Sequence, residues 1–177
     1  MPRVLIPVVV LVACAVSACG YALAGRGNSL PASITSVGIP DFVNRSTTPD
    51  IDRVLTTAVR TEWQGRGKYR VEPTDTGVDA VLRGTIVSVG LQPVAFTSAN
   101  QVSRNVIIVT ASIDFREVAD DHVIWSNPAF QAREEYAVTT GVTPNDASAL
   151  FTQNQNALSL LSRTFSRSVV SSIFEAF

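Results

Sequence analysis

Val106-Ile107-Ile108-Val109-Thr110-Ala111-Ser112-Ile113-Asp114-Phe115-Arg116-Glu117-Val118 is the stretch that decides the fold. Side chains alternate along an extended strand, so Ile107, Val109, Ala111, Ile113 and Phe115 share one face and Thr110, Ser112, Asp114 and Arg116 the other. The pattern predicts a half-buried strand whose second face meets water or a partner. Upstream, Ala80 to Leu91 is a β-rich run that stops at Gln92-Pro93, and polar Ala95 to Ser103 reads as the hairpin loop between the two. Downstream, Ala119-Asp120-Asp121-His122 is a turn. A third strand opens at Val123-Ile124-Trp125 and continues to about Val138, with a bulge or break at Pro128. Consecutive strands joined by turns argue for an antiparallel meander.

Helices flank this meander. Thr48-Pro49-Asp50 places a cap hydroxyl, a proline at the first helical position and an acid in the first turn. Ile51, Leu55, Ala58, Val59 and Trp63 follow at helical spacing and Gly65 and Gly67 end the pattern, predicting an amphipathic helix of about 16 residues. Before it, Ile34 to Pro40 reads as a first strand; after it, Tyr69 to Val71 suits a short strand piece. Near the C-terminus, Thr143-Pro144-Asn145-Asp146 repeats the cap logic. Ala147, Leu150, Ala157, Leu158, Leu161, Phe165, Val169, Ile173 and Phe174 then keep to one stripe, predicting a long helix with one buried face. The resulting fold class is α+β: two helices packed on one face of a four-stranded, mainly antiparallel sheet, in the order strand, helix, three strands, helix.

The chain of 177 residues suits one ordinary domain. With 46% hydrophobic and 16% charged residues it is too apolar for intrinsic disorder, and a net charge of −1 lacks the basic excess that drives binding to nucleic acid. A mean hydropathy of +0.22 is high for a soluble domain, and much of the excess lies at the N-terminus. After Met1-Pro2-Arg3, Val4 to Val16 is apolar, and Ser17-Ala18-Cys19 follows, the layout of a secretory signal peptide. The run is shorter than the roughly 20 residues that a spanning helix needs, and it contains Pro7. Val16-Ser17-Ala18-Cys19 resembles the bacterial lipobox, whose cysteine is acylated and becomes the mature N-terminus. Of the two cysteines, Cys14 would be removed with the leader, leaving Cys19 as the lipidation site. The expected organisation is a signal peptide over 1–18, a lipidated N-terminus and tether over 19–33, and the α+β domain over 34–177. Gly20, where an aspartate commonly retains Gram-negative lipoproteins in the inner membrane, favours the outer membrane.

Residues that could carry catalysis are few. His122, the only histidine, sits in an acidic turn, and with one histidine and no free cysteine in the mature chain neither a zinc site nor a thiol mechanism has its groups. Glu134 and Glu135, neighbours on a strand, point to opposite faces and cannot form a two-carboxylate glycosidase site. Gly25-Arg26-Gly27 does not open a helix, and Gly65-Arg66-Gly67 follows one, so neither is a phosphate loop. No catalytic residue, metal or cofactor is expected. The cations Arg66, Lys68 and Arg70, with Arg60 upstream, read first as favourable charge at a helix C-terminus and second as a phosphate-binding patch. Phe96, Trp125, Phe130 and Tyr136 read as core or cross-strand packing.

An ordered set of pieces then resembles a known family. Cys19-Gly20-Tyr21-Ala22-Leu23-Ala24-Gly25, Leu30-Pro31, Ile39-Pro40-Asp41-Phe42-Val43-Asn44-Arg45-Ser46, Ala80-Val81-Leu82-Arg83-Gly84-Thr85-Ile86, Trp125-Ser126-Asn127-Pro128 and Arg133-Glu134-Glu135-Tyr136 together are similar to the lipopolysaccharide-assembly lipoproteins of the LptE family. The resemblance implies a non-catalytic, lipid-anchored protein at the periplasmic side of the outer membrane. It would act as plug and assembly partner of the β-barrel LptD and bind lipopolysaccharide in transit. The candidate lipopolysaccharide contacts are Lys68, Arg70, Arg104 and Arg116. The alternative is a periplasmic lipoprotein that activates a cell-wall synthase or assembles another secretion channel.

Overall fold

The computed structural model describes residues 30–138 and 147–176, with 147–154 as helix backbone alone. The expected leader, Cys19, the tether up to residue 29 and the Thr143-Pro144-Asn145-Asp146 cap lie outside the described residues. The elements are β1 (Ser36–Gly38), β2 (Val43–Asn44), α1 (Ile51–Gly65), β3 (Arg70–Glu72), β4 (Ala80–Phe96), β5 (Val102–Glu117), β6 (Val123–Ala137) and α2 (Ala147–Phe174).

The meander forms as its periodicity requires: β4 pairs antiparallel with β5, and β5 with β6. The rest of the sheet corrects the four-stranded, mainly antiparallel expectation. Among the described residues the sheet has six strands in the order β3-β1-β4-β5-β6, with β2 also on β4, and the pairings of β1, β2 and β3 are parallel. β1 falls within the expected first strand and ends before Pro40, whereas β2, beyond the proline, has no counterpart in that expectation; such two- and three-residue strands are too short to carry a period-two signal.

Both hairpin strands also run further than expected. β4 continues through Pro93 and β5 begins at Val102, so the loop shrinks from Ala95–Ser103 to the turn at 97–101. Beyond Ile86, β4 has β5 on one side only among the described residues, and such an edge tolerates proline. Pro128 sits in a bulge on the outer strand β6: Ala111 faces Phe130 and Ile113 faces Asn127, leaving Pro128 and Ala129 opposite Ser112 alone.

Helix α1 starts at Ile51, not at Pro49. Its cap is Asp50, in the left-handed region at φ 58 and without a side-chain cap bond. Thr48 is drawn into the preceding loop, where its carbonyl accepts from Asn44 Nδ2 at 2.8 Å and its N–H donates to Ser46 Oγ at 3.2 Å. The helix stops as expected, at Gly67 with φ +67.

Ile51, Leu55, Val59 and Trp63 of α1 and Leu161, Phe165, Val169 and Ile173 of α2 pack with Leu82, Ile86, Val109, Ala111, Ile113 and Phe115 of the sheet in one core. Trp63 lies against Phe115 and Phe174, with ring centroids 5.3 and 5.5 Å away, and its buried Nε1 lacks a hydrogen-bond partner among the described residues. At Gly84 the ring of Phe42 comes within 2.8 Å of where a Cβ would stand, so the absent side chain admits the ring. The opposite face carries half-exposed Thr110, Ser112, Asp114 and Arg116. There, Thr74 of the β3–β4 connection crosses close over Gly38, whose Cβ would strike the Thr74 carbonyl.

One carboxylate fastens the first strand. Asp79 Oδ2 accepts from the Thr35 N–H at 2.9 Å and from Thr35 Oγ1, the Ser36 N–H and Ser36 Oγ at 2.8 Å each. The Thr35 N–H, then the two hydroxyls and the Ser36 N–H, stabilise the anion and hold this carboxyl well below the usual carboxylate range.

Candidate functional site

The four basic residues expected to meet lipopolysaccharide lie on β3, in the turn before it and at two separate places on β5. Lys68 is exposed in the turn between α1 and β3 and makes no ion pair among the described residues. Arg70 Nε lies 3.5 Å from Glu72 on β3. Arg104 on β5 pairs with Glu135 on β6 at 2.6 Å. Arg116 pairs with Asp114 at 2.7 Å and Asp121 at 3.4 Å, and these carboxylates, Asp114 foremost, raise its pKa. Arg116 and Arg104 lie near opposite ends of β5, facing Val81 and Ala95 of β4, a separation of about 40 Å at strand rise. The geometry therefore does not gather the four into one patch.

The cations around the end of α1 are engaged in the fold. Arg60 Nε donates to the Ile39 carbonyl at 2.8 Å, and its Nη2 lies 3.0 Å from Asp41. Arg66 reaches Glu62 at 3.4 Å and Ser171 Oγ at 3.3 Å, with its guanidinium 5.4 Å from the centre of the Phe174 ring. Glu134 and Glu135 diverge as the strand pattern requires: Glu134 accepts from Thr164 Oγ1 of α2 at 2.7 Å, while Glu135 holds Arg104. His122 stands exposed in its turn, its N–H donating to Asp120 Oδ1 at 3.0 Å. Among the described residues no group of histidine, cysteine, aspartate and glutamate is placed to hold a metal, and no helix is long and apolar enough to cross a membrane. Of the four aromatics, Phe130 packs edge-on against Phe165 at 5.5 Å and against Trp125 at 6.4 Å, and Tyr136 lies against the core. Phe96 departs from the packing expectation: 57% exposed, it stands at the far end of β4.

That end of the molecule holds a feature the sequence reading missed. A groove of about 650 Å³ runs between the start of α1 and the middle of α2, lined by Pro49, Ile51, Val54, Leu158, Ser159 and Ser162. A recess of about 270 Å³ between Val89, Leu91, Ile107 and Tyr136 adjoins it, since Thr48 and Leu158 line both. The one charged residue of the lining, Asp50, is ion-paired with Arg53. The exposed guanidinium of Arg163 donates to Ser159 Oγ at 3.1 Å and so stands at the rim. One signal was available: from Gly84 to Ser103, and again from Ala147 to Ser162, no residue is charged. A search for chemistry-bearing side chains passes over such a blank.

Comparison with known proteins adds the following. A search of curated protein sequences finds no match. Among solved structures, the hypothetical protein CT253 of Chlamydia trachomatis is similar in fold, with a TM-score of 0.54 at 8% identity over 80% of this chain and 96% of that one. The rare lipoprotein B of Shewanella oneidensis aligns with a TM-score of 0.47 at 14% identity over 78% of this chain and 96% of that one. At sequence level, the model of the family LptE, described as lipopolysaccharide-assembly, matches residues 34–173. That match takes in every strand and all but the last residue of α2, and the chain belongs to the LptE family of lipopolysaccharide-assembly proteins.

Proposed function

We propose that the protein is a non-catalytic lipoprotein of the outer membrane, anchored through acylated Cys19, which serves as plug and assembly partner of an LptD-like β-barrel and binds lipopolysaccharide in transit. The observation that carries this reading is the family match across residues 34–173. The physical character of the chain is consistent with it. A folded domain with a polar sheet face suits a polar barrel lumen, because charges already paired, such as Arg104 with Glu135 and Arg116 with Asp114, can enter without stranding an unpaired ion. Lys68, Arg70, Arg104 and Arg116 remain the proposed glycolipid contacts. Lys68 is the readiest, since Arg70, Arg104 and Arg116 must exchange a carboxylate for a phosphate.

The test is co-purification. The intact lipoprotein, tagged at its C-terminus and extracted from membranes in mild detergent, is expected to bring down a large outer-membrane barrel together with lipopolysaccharide. Recovery of a penicillin-binding protein or of another secretion channel in place of the barrel would overturn the reading.

A further inference from the structure

We propose that the groove between the start of α1 and the middle of α2 holds one acyl chain of the phosphorylated glycolipid, with Arg163 at the rim meeting its phosphate. The inference rests on the lipopolysaccharide reading above and assigns to it a subsite that none of Lys68, Arg70, Arg104 and Arg116 lines.

Three features select this occupant. The first is size: about 650 Å³, with a further 270 Å³ in the adjoining recess, falls within the roughly 300–1,000 Å³ of small-ligand sites. An α-helix about 10 Å across would fill the groove within about one or two turns, too little for a docked helix to be held. The second is lining chemistry. Val54, Leu158, Val89 and Leu91 present hydrocarbon, while the polar lining is the hydroxyls of Thr48, Ser159 and Ser162, the Gln155 side chain and Asp50, whose carboxylate is already paired with Arg53. Ser162 Oγ is already bonded to the Ser159 carbonyl at 2.9 Å. An extended peptide laid there would find partners for only a few of its backbone N–H and C=O groups, whereas an acyl chain has none to satisfy.

The third is the charge pattern. The groove wall is mainly apolar, its one carboxylate, Asp50, is neutralised by Arg53, and Arg163 stands at the edge. Arg163 makes no ion pair among the described residues and is held in place by Ser159, so its guanidinium is oriented with no carboxylate to displace. A hydrocarbon chain joined to an anionic head matches that arrangement; a neutral lipid would leave the guanidinium unused.

In-cell photocrosslinking on the full-length lipoprotein tests the proposal. Benzoylphenylalanine is placed at Val54 and at Leu158 for the groove, at Lys68 for the candidate headgroup side, and, as a control, at Thr61, exposed two turns further along α1 and in the lining of neither cavity. Adducts are read by immunoblotting for lipopolysaccharide and by mass spectrometry of the linked fragment. The expected result is lipopolysaccharide adducts at 54 and 158, joined through the acyl region, and none at 61. Arg163→Gln should lower the adduct yield at 54 about tenfold, the effect of losing one charge-assisted hydrogen bond, while leaving expression and protease resistance unchanged. Adducts at 68 but not at 54 or 158 would overturn the groove assignment and leave the lipopolysaccharide reading standing. No lipopolysaccharide adduct at any position would sink both. A phospholipid or protein adduct at 54 and 158 would reject this occupant in favour of the one captured.

Discussion

Asp79→Ala offers the sharpest physical test of how the first strand is held. Asp79 Oδ2 receives four donors, two of them backbone N–H groups at the entry to a strand of only three residues. Removing the carboxylate leaves the N–H of buried Ser36 without its partner, at about 1–3 kcal/mol, and that of exposed Thr35 at about 1 kcal/mol or less, since water replaces the bond there. The two hydroxyls can turn to solvent or to each other. The expected loss is about 1–4 kcal/mol for Asp79→Ala and about half that for Asp79→Asn, which keeps an oxygen acceptor but not the charge. Urea denaturation followed by circular dichroism measures it as a fall in midpoint at unchanged slope. The pH dependence follows from the sign of the shift. A carboxyl whose folded pKa is depressed contributes fully above the unfolded value near 3.9, and its contribution disappears as pH falls through the folded value. The gap between wild type and Asp79→Asn should therefore be constant from pH 7 to about pH 5 and shrink only in strong acid, below about pH 4. An Asp79→Ala midpoint equal to wild type, or a gap already closing between pH 7 and 5, would refute the reasoning.

Three further outcomes are expected. Gly84→Ala should cost about 1–3 kcal/mol, because its Cβ must displace the Phe42 ring from 2.8 Å; a denaturation midpoint equal to wild type would mean that the ring does not rest there. Trp63→Phe should be much milder than Trp63→Ala, at about 1–2 against 3–5 kcal/mol, because the indole N–H it removes has no partner among the described residues; equal losses would point to a bond at Nε1. Cys19→Ala should leave the circular dichroism spectrum and thermal midpoint of the domain unchanged but release the protein from membranes on fractionation, and undiminished outer-membrane association would count against the lipid as the main tether.

Long, regular elements were the readable part of this sequence. Ile107 to Phe115 alternates over nine residues, and the stripe ending at Ile173 and Phe174 runs along a 28-residue helix, so β5 and α2 each repeat their period enough to stand out. Pairings of two or three residues do not repeat; β1 and β2 therefore owe their existence to β4, which offers them an edge, and β3 to β1. Thr48 looked like a cap because hydroxyl, proline and acid stand in the right order, but the Asn44 side chain competes for its carbonyl and moves the helix start to Ile51. The basic residues were visible, but not what they touch: Glu135 lies 31 residues from Arg104, and only the β5–β6 register brings them together. The groove was silent in another way. Its lining comes from the start of α1, the middle of α2 and one end of the hairpin, and its local mark is an absence of charge.

The account stands most directly on where newly made lipopolysaccharide goes when this protein is withdrawn. Depletion in the native host, followed by pulse-labelling and separation of inner and outer membranes with a surface-accessibility probe, should show new lipopolysaccharide accumulating short of the outer leaflet, with restoration by the wild-type chain. Unchanged arrival of lipopolysaccharide at the cell surface in fully depleted cells would contradict it.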